Sequence, residues 1–182
     1  MKNPLFFLLL LLSLTTCRKD SIFDVYGFYG EGSAKLNDIP WTGKTGVFFT
    51  DVFCKPDSCI GIVLIHRNQY GELRGKITLD HVPLHTGRQT LNYAWPVSED
   101  VLCALSYSEW ASDGDVVTGD YSVFEQNDDN YLDITDLNLK TGDISGKFQA
   151  TVVRHEFWTP AGQQPDTIRI TEGTFKGKIF RE

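Results

Sequence analysis

The sequence is punctuated. Short apolar runs recur along it, and most end in turn chemistry: Asn37-Asp38, Pro56-Asp57, Asn68 to Gly71, Asp113-Gly114-Asp115, Asn127 to Asn130 and Thr141-Gly142-Asp143. Residues 73–79 alternate apolar and polar side chains, the two-residue period of a half-buried strand. No window carries a long, capped 3.6-residue period, so little helix is expected. Many short strands at this spacing predict an antiparallel meander forming a barrel or a sandwich. The 182 residues suit one domain. Aromatics at 13% and 16 glycines agree with strands and tight turns.

Residues 34–41 read as a strand, a turn and an aromatic plug at Trp41. Residues 47–54 should pair with 59–66, joined by the turn at Pro56-Asp57. Further strands are expected over 91–95, 101–107, 116–124 and 131–139. The last third continues with 144–153, a loop with Pro160, Gly162 and Pro165, and a closing strand over 167–180.

The N-terminus has a different character. Lys2 precedes an unbroken apolar run over residues 5–12, then Ser13-Leu14-Thr15-Thr16-Cys17. The run is too short to span a membrane, which takes roughly 20 residues, and it suits the apolar core of a secretory signal. Leu14-Thr15-Thr16-Cys17 resembles the lipobox of a bacterial lipoprotein precursor, with Thr16 where Gly, Ala or Ser is usual. The resemblance implies a signal peptide over 1–16, acylation (palmitate among the chains) at Cys17, a lipid-anchored tether over 17–28 and one all-β domain over 29–182. Each buried CH₂ adds about 0.8 kcal/mol, so several acyl chains anchor firmly. Lys19-Asp20 is a fragment of the charged signal that sends Bacteroidetes-type lipoproteins to the cell surface. The surface face of the outer membrane is therefore expected ahead of the periplasmic face.

An exported protein keeps disulfides. Cys54 and Cys59 flank four residues of turn between two strand-like runs, so they would face each other across a hairpin and bridge. Four intervening residues do not make a redox motif, and no further zinc ligands lie nearby. Cys103 alternates with apolar neighbours and reads as a small buried hydrophobe.

Three stretches, in order, are similar to a group of uncharacterised all-β lipoproteins of the Bacteroidetes type. They are Ala34 to Trp41, residues 137–148 with Ile144-Ser145-Gly146-Lys147-Phe148, and Ile170-Thr171-Glu172-Gly173-Thr174-Phe175. That family usually has glycine after the asparagine of its opening turn, where this chain has Asp38. The resemblance implies a barrel-like (lipocalin-like) or sandwich domain on the cell envelope, and no catalytic residues.

Candidate chemistry is sparse. His81 and His85 are four apart, but Pro83 between them argues against a helical metal pair, so surface or loop positions are expected. His66 and His155 are isolated. Ser106, Ser108 and Ser122 lack a nucleophile elbow. Residues 99–139 hold eleven acids and no Lys or Arg, within a net charge of −7. Asp113, Asp115, Asp128 and Asp129 sit in turns that would offer oxygens to calcium; the plainer reading is a solvated acidic face. Trp95, Trp110 and Trp158 with Tyr121 and Tyr131 would form a stacking platform for sugars, the plainer reading for most of them being core packing; Trp110 and Trp158 are the better exposed candidates. The acidic balance excludes a nucleic-acid partner. The expectation is a lipid-anchored, non-enzymatic envelope domain without a cofactor. It would bind a small molecule, a glycan or a protein, the alternatives being an interaction subunit of an outer-membrane assembly and an unrecognised hydrolase.

Overall fold

The computed structural model describes residues 27–50, 58–93, 103–124, 128–155 and 164–180. Ten strands run through them: β1 (Gly30–Leu36), β2 (Ile39–Thr50), β3 (Cys59–Arg67), β4 (Leu73–Pro83), β5 (Gly87–Thr90), β6 (Ala104–Trp110), β7 (Val117–Val123), β8 (Tyr131–Asn138), β9 (Asp143–Arg154) and β10 (Thr167–Phe180). Eight of them close an antiparallel barrel in the order β1-β2-β3-β4-β6-β7-β9-β10. The expected barrel is therefore the architecture, and the sandwich alternative is set aside.

Closure depends on β1. It is wedged between β2 and β10 and pairs with both. Beyond its start, β10 meets β2 directly, with Ile179 and Phe180 parallel to Val47 and Phe48. The opposite wall is shared. One edge of β9 pairs with β7 over Val152–Arg154 and with β8 over its earlier residues, and β5 adds to β8. Closing the ring removes exposed strand edges from eight strands.

The opening hairpin turns at Asn37 and Asp38, both at positive φ (48° and 66°). Two residues at positive φ make the type I′ turn whose twist matches paired strands. Asn37 also accepts the Arg169 N–H through Oδ1 at 2.8 Å, tying the turn to β10.

Two-residue alternation sorts the side chains. Ile60, Ile62, Leu64, Ile77, Leu79, Leu105, Tyr121, Phe148, Val152, Ile170 and their neighbours form one buried cluster contributed by all eight barrel strands. Phe148 and Tyr121 are completely enclosed. The middle of the barrel is thus packed with side chains. Gly146 and Gly173 permit this density. A Cβ on Gly146 would stand 2.6 Å from the Asp133 carbonyl oxygen, and one on Gly173 2.5 Å from that of Phe148.

Two local expectations change. Residues 91–93 are not a strand apart from a single bridge from Asn92 to Ala104; the strand precedes them as β5, and the Leu91 N–H donates to the Asn130 carbonyl. His81 is not at the surface. It lies on β4, 6% exposed, at positive φ (55°), and its carbonyl accepts the Cys103 N–H. β4 runs through His81 to Pro83 to complete its pairing with β3, which carries the histidine into the wall. His85 is exposed.

Candidate functional site

A packed interior leaves the outer face and the ends of the barrel for function. A concavity of about 920 Å³ crosses the outer face where β1, β2, β3 and β10 meet. Pairing register builds it. Gly32 stands between Gly43 and Phe175, three positions that turn inwards, a Cβ on Gly32 meeting Leu64 at 2.3 Å, so backbone forms the floor between the outward-facing rows. Ser33 stands between Thr42 and Thr174, and the Ser33 and Thr174 hydroxyls are 2.9 Å apart. Glu31 stands between Lys44 and Lys176, 3.6 Å from the Lys44 ammonium. Phe28 closes one end and Arg67 lies along the β3 side. Burial lowers the Arg67 pKa, but an ordinary value so far above neutrality keeps the guanidinium charged. Three cations against one carboxylate give the groove a positive balance within a chain of charge −7.

A smaller cleft of about 300 Å³ lies at the barrel end beside the β1–β2 turn, lined by Leu36, Ile39, Trp41, Glu109 and Ile168 among others. Trp41 is the expected plug: it is buried, and its ring stacks at a tilt on His66 with centroids 5.9 Å apart. Its indole N–H is buried without a partner. Next to it, the Tyr107 hydroxyl donates to Glu109 at 3.0 Å, and Tyr121 donates to the Pro165 carbonyl at 3.1 Å. Burial pushes the Tyr121 phenol up to about 12, with the Glu109 charge adding to it. Burial and then Glu109 push Tyr107 further up.

The candidates from the sequence disperse. Cys17, Cys54, Trp95 and Trp158 lie outside the described residues. Cys59 opens β3 and is buried. Cys103 is a free, buried thiol, pushed up to about 12 by burial, which disfavours the reactive thiolate. Trp110 is half-buried with the Lys76 ammonium 5.5 Å from its ring centroid, so one face already meets a cation. Tyr131 carries Arg88 at 3.8 Å in the same manner. Asp113 and Asp115 occupy the β6–β7 turn, where Asp113 accepts the Asp115 N–H, while Asp128 and Asp129 precede β8. Among the described residues no three His, Cys, Asp or Glu side chains gather to hold a metal ion.

One pairing was invisible in the sequence. Ser122 and His155, separated by a whole hairpin, meet at 2.8 Å. That is nucleophile-to-base distance. Ser122, however, is only 2% exposed, and the nearby Asp120 carboxylate accepts from Ser108. A hydroxyl sealed in the wall meets no substrate, so the bond serves to satisfy a buried polar group. The groove left a fainter trace: Glu31-Gly32-Ser33, Thr42-Gly43-Lys44 and Thr174-Phe175-Lys176 each alternate polar and non-polar positions. That β1, β2 and β10 become neighbours is not written in any of them.

In comparisons with known proteins, no family model, curated protein or solved structure matches the chain.

Proposed function

We propose that the protein is a lipid-anchored domain of the cell envelope, held in the outer membrane through Cys17, that binds an anionic small molecule or acidic glycan in the outer groove and carries out no catalysis. The observation that supports this most is the groove itself. Its volume falls within the usual 300–1,000 Å³ range of ligand sites. Its hydroxyls from Ser33, Thr42 and Thr174 and its cations at Lys44, Lys176 and Arg67 suit carboxylate or phosphate oxygens. The tether would present the groove at the cell surface, and a Cys54–Cys59 bridge would pin the β2–β3 hairpin beside it.

Titration calorimetry with oligogalacturonate, inorganic phosphate and a neutral hexose oligomer tests the reading. Saturable binding of an acidic probe, lost in Lys44→Gln/Lys176→Gln with folding intact, is expected. Equal indifference to all three probes would sink it. The alternative, an interaction subunit of an outer-membrane assembly, draws on the packed interior together with aromatic side chains left at the surface.

A further inference from the structure

Three phenylalanines lie together on the outside of the barrel at the seam where it closes. Phe180 is the register partner of Phe48. The Phe28 ring lies over Gly46, two residues before Phe48 on the same face of β2, and would be 2.9 Å from a Cβ there. Phe48 lies over Gly61 and Phe180 against Gly27 in the same way. The glycines leave room for the phenylalanine side chains to approach the backbone closely. Phe48 and Phe180 are each 36% exposed, and Tyr29 beside them is 67% exposed.

Position and charge say what such a patch meets. The chain enters the barrel here, with Gly27 touching Phe180. Cys17 is ten residues earlier, so an anchor on it is at most about 35 Å away even when the tether is fully extended. Lys44 on β2 and Lys176 and Lys178 on β10 project on the same outer face, Lys178 lying 3.8 Å from Asp143. Aromatic rings flanked by lysines are the composition of a membrane-interface contact. A second copy of the chain is a poorer fit, because three partly covered rings fall short of the roughly 800 Å² per partner that a stable interface buries.

We infer that Phe28, Phe48 and Phe180 form the face on which the barrel rests against the lipid surface, with Lys44, Lys176 and Lys178 at the headgroups. The inference rests on the envelope anchoring proposed above; Phe28, Lys44 and Lys176 also line the groove, so lipid headgroups and a groove ligand would share these residues. The rings shelter apolar area from water, and the tether raises their local concentration at the surface.

The acylated chain carrying Phe180→Trp is reconstituted into vesicles of phosphatidylethanolamine and phosphatidylglycerol. The emission gained over the wild-type chain should shift to the blue and be quenched by brominated lipid. The full chain carrying Cys17→Ser should partition onto the same vesicles at low salt, and adding Phe48→Ser/Phe180→Ser should weaken that by about tenfold or more. Emission from the introduced indole that is indifferent to brominated lipid overturns the inference. So does equal partitioning of the two chains, or a patch variant that loses self-association in sedimentation instead of vesicle binding. The mass of the mature chain from cells reads acylation separately. An unmodified Cys17 with vesicle binding intact would refute the anchor and leave the lipid-facing patch standing.

Discussion

At the residue scale, the informative groups are those whose surroundings oppose their ordinary charge state. Burial raises the Asp80 carboxyl above the usual range, with His81 and Lys76 pulling only partly the other way. A carboxyl whose folded pKa is raised keeps its proton after the unfolded chain has lost it. Its contribution is therefore full below the unfolded pKa of about 3.9 and is lost as pH rises through the folded value. Asp80→Asn removes that loss. The variant should melt higher than wild type at pH 7, with the gain vanishing below about pH 4, as scanning calorimetry across pH would show. Tyr107 and Tyr121 obey the same sign at the alkaline end. The unfolded chain ionises its phenols near pH 10, whereas Tyr121 holds its proton to about 12 and Tyr107 beyond that. Stability should fall steadily above about pH 10. Tyr107→Phe should make that fall shallower, measured by urea unfolding at stepped pH, although it also costs stability at neutral pH by removing the Glu109 hydrogen bond.

At the element scale, the hairpins carry the register. The Asn37-Asp38 turn is set by two positive-φ residues, which asparagine tolerates and glycine tolerates better. Asp38→Gly should stabilise the domain by up to about 1 kcal/mol in urea titration without altering the groove. A loss of stability would mean that the aspartate side chain holds the turn in a way its backbone angle does not reveal. On the far wall, β9 and β10 make the longest pairing, interrupted by a bulge near Glu172, itself at a φ of 51°. The bulge shifts the register between Ile170 and Gly173, so that Gly173 is the residue placed opposite Phe148. Gly173→Ala would drive a Cβ into the Phe148 backbone. It should cost about 1–3 kcal/mol or more, read as a lowered urea midpoint.

At the scale of the whole molecule, the first and last strands decide closure and address. β10 is the last of the described strands and contacts β9, β1 and β2, so it seals the barrel. The same seam receives the chain that leads into β1, which places the aromatic patch and the groove on one side. Cys17→Ser should move the protein from the membrane to the soluble fraction, or leave it as an uncleaved precursor. Unchanged partitioning of that variant in cell fractionation would count against lipidation.

Periodicity and turn chemistry are local, and what they control was legible in the sequence. The two-residue alternation in β4, the Asn37-Asp38 turn, the Trp41 plug and the buried Cys103 could each be read from a few neighbouring residues. The all-β class followed from their sum. Pairing between distant strands is not local. Only the folded barrel decides that β1 wedges between β2 and β10, that Ser33 stands between Thr42 and Thr174 in the groove, and that Phe28, Phe48 and Phe180 share a surface. The same holds for Ser122 and His155, and for the acidic turns, which a contiguous stretch of sequence brings near in number but the strand order separates. Apolar alternation says which side of a strand is buried. It does not say which other strand lies beside it, and the sites on this protein are made of that choice.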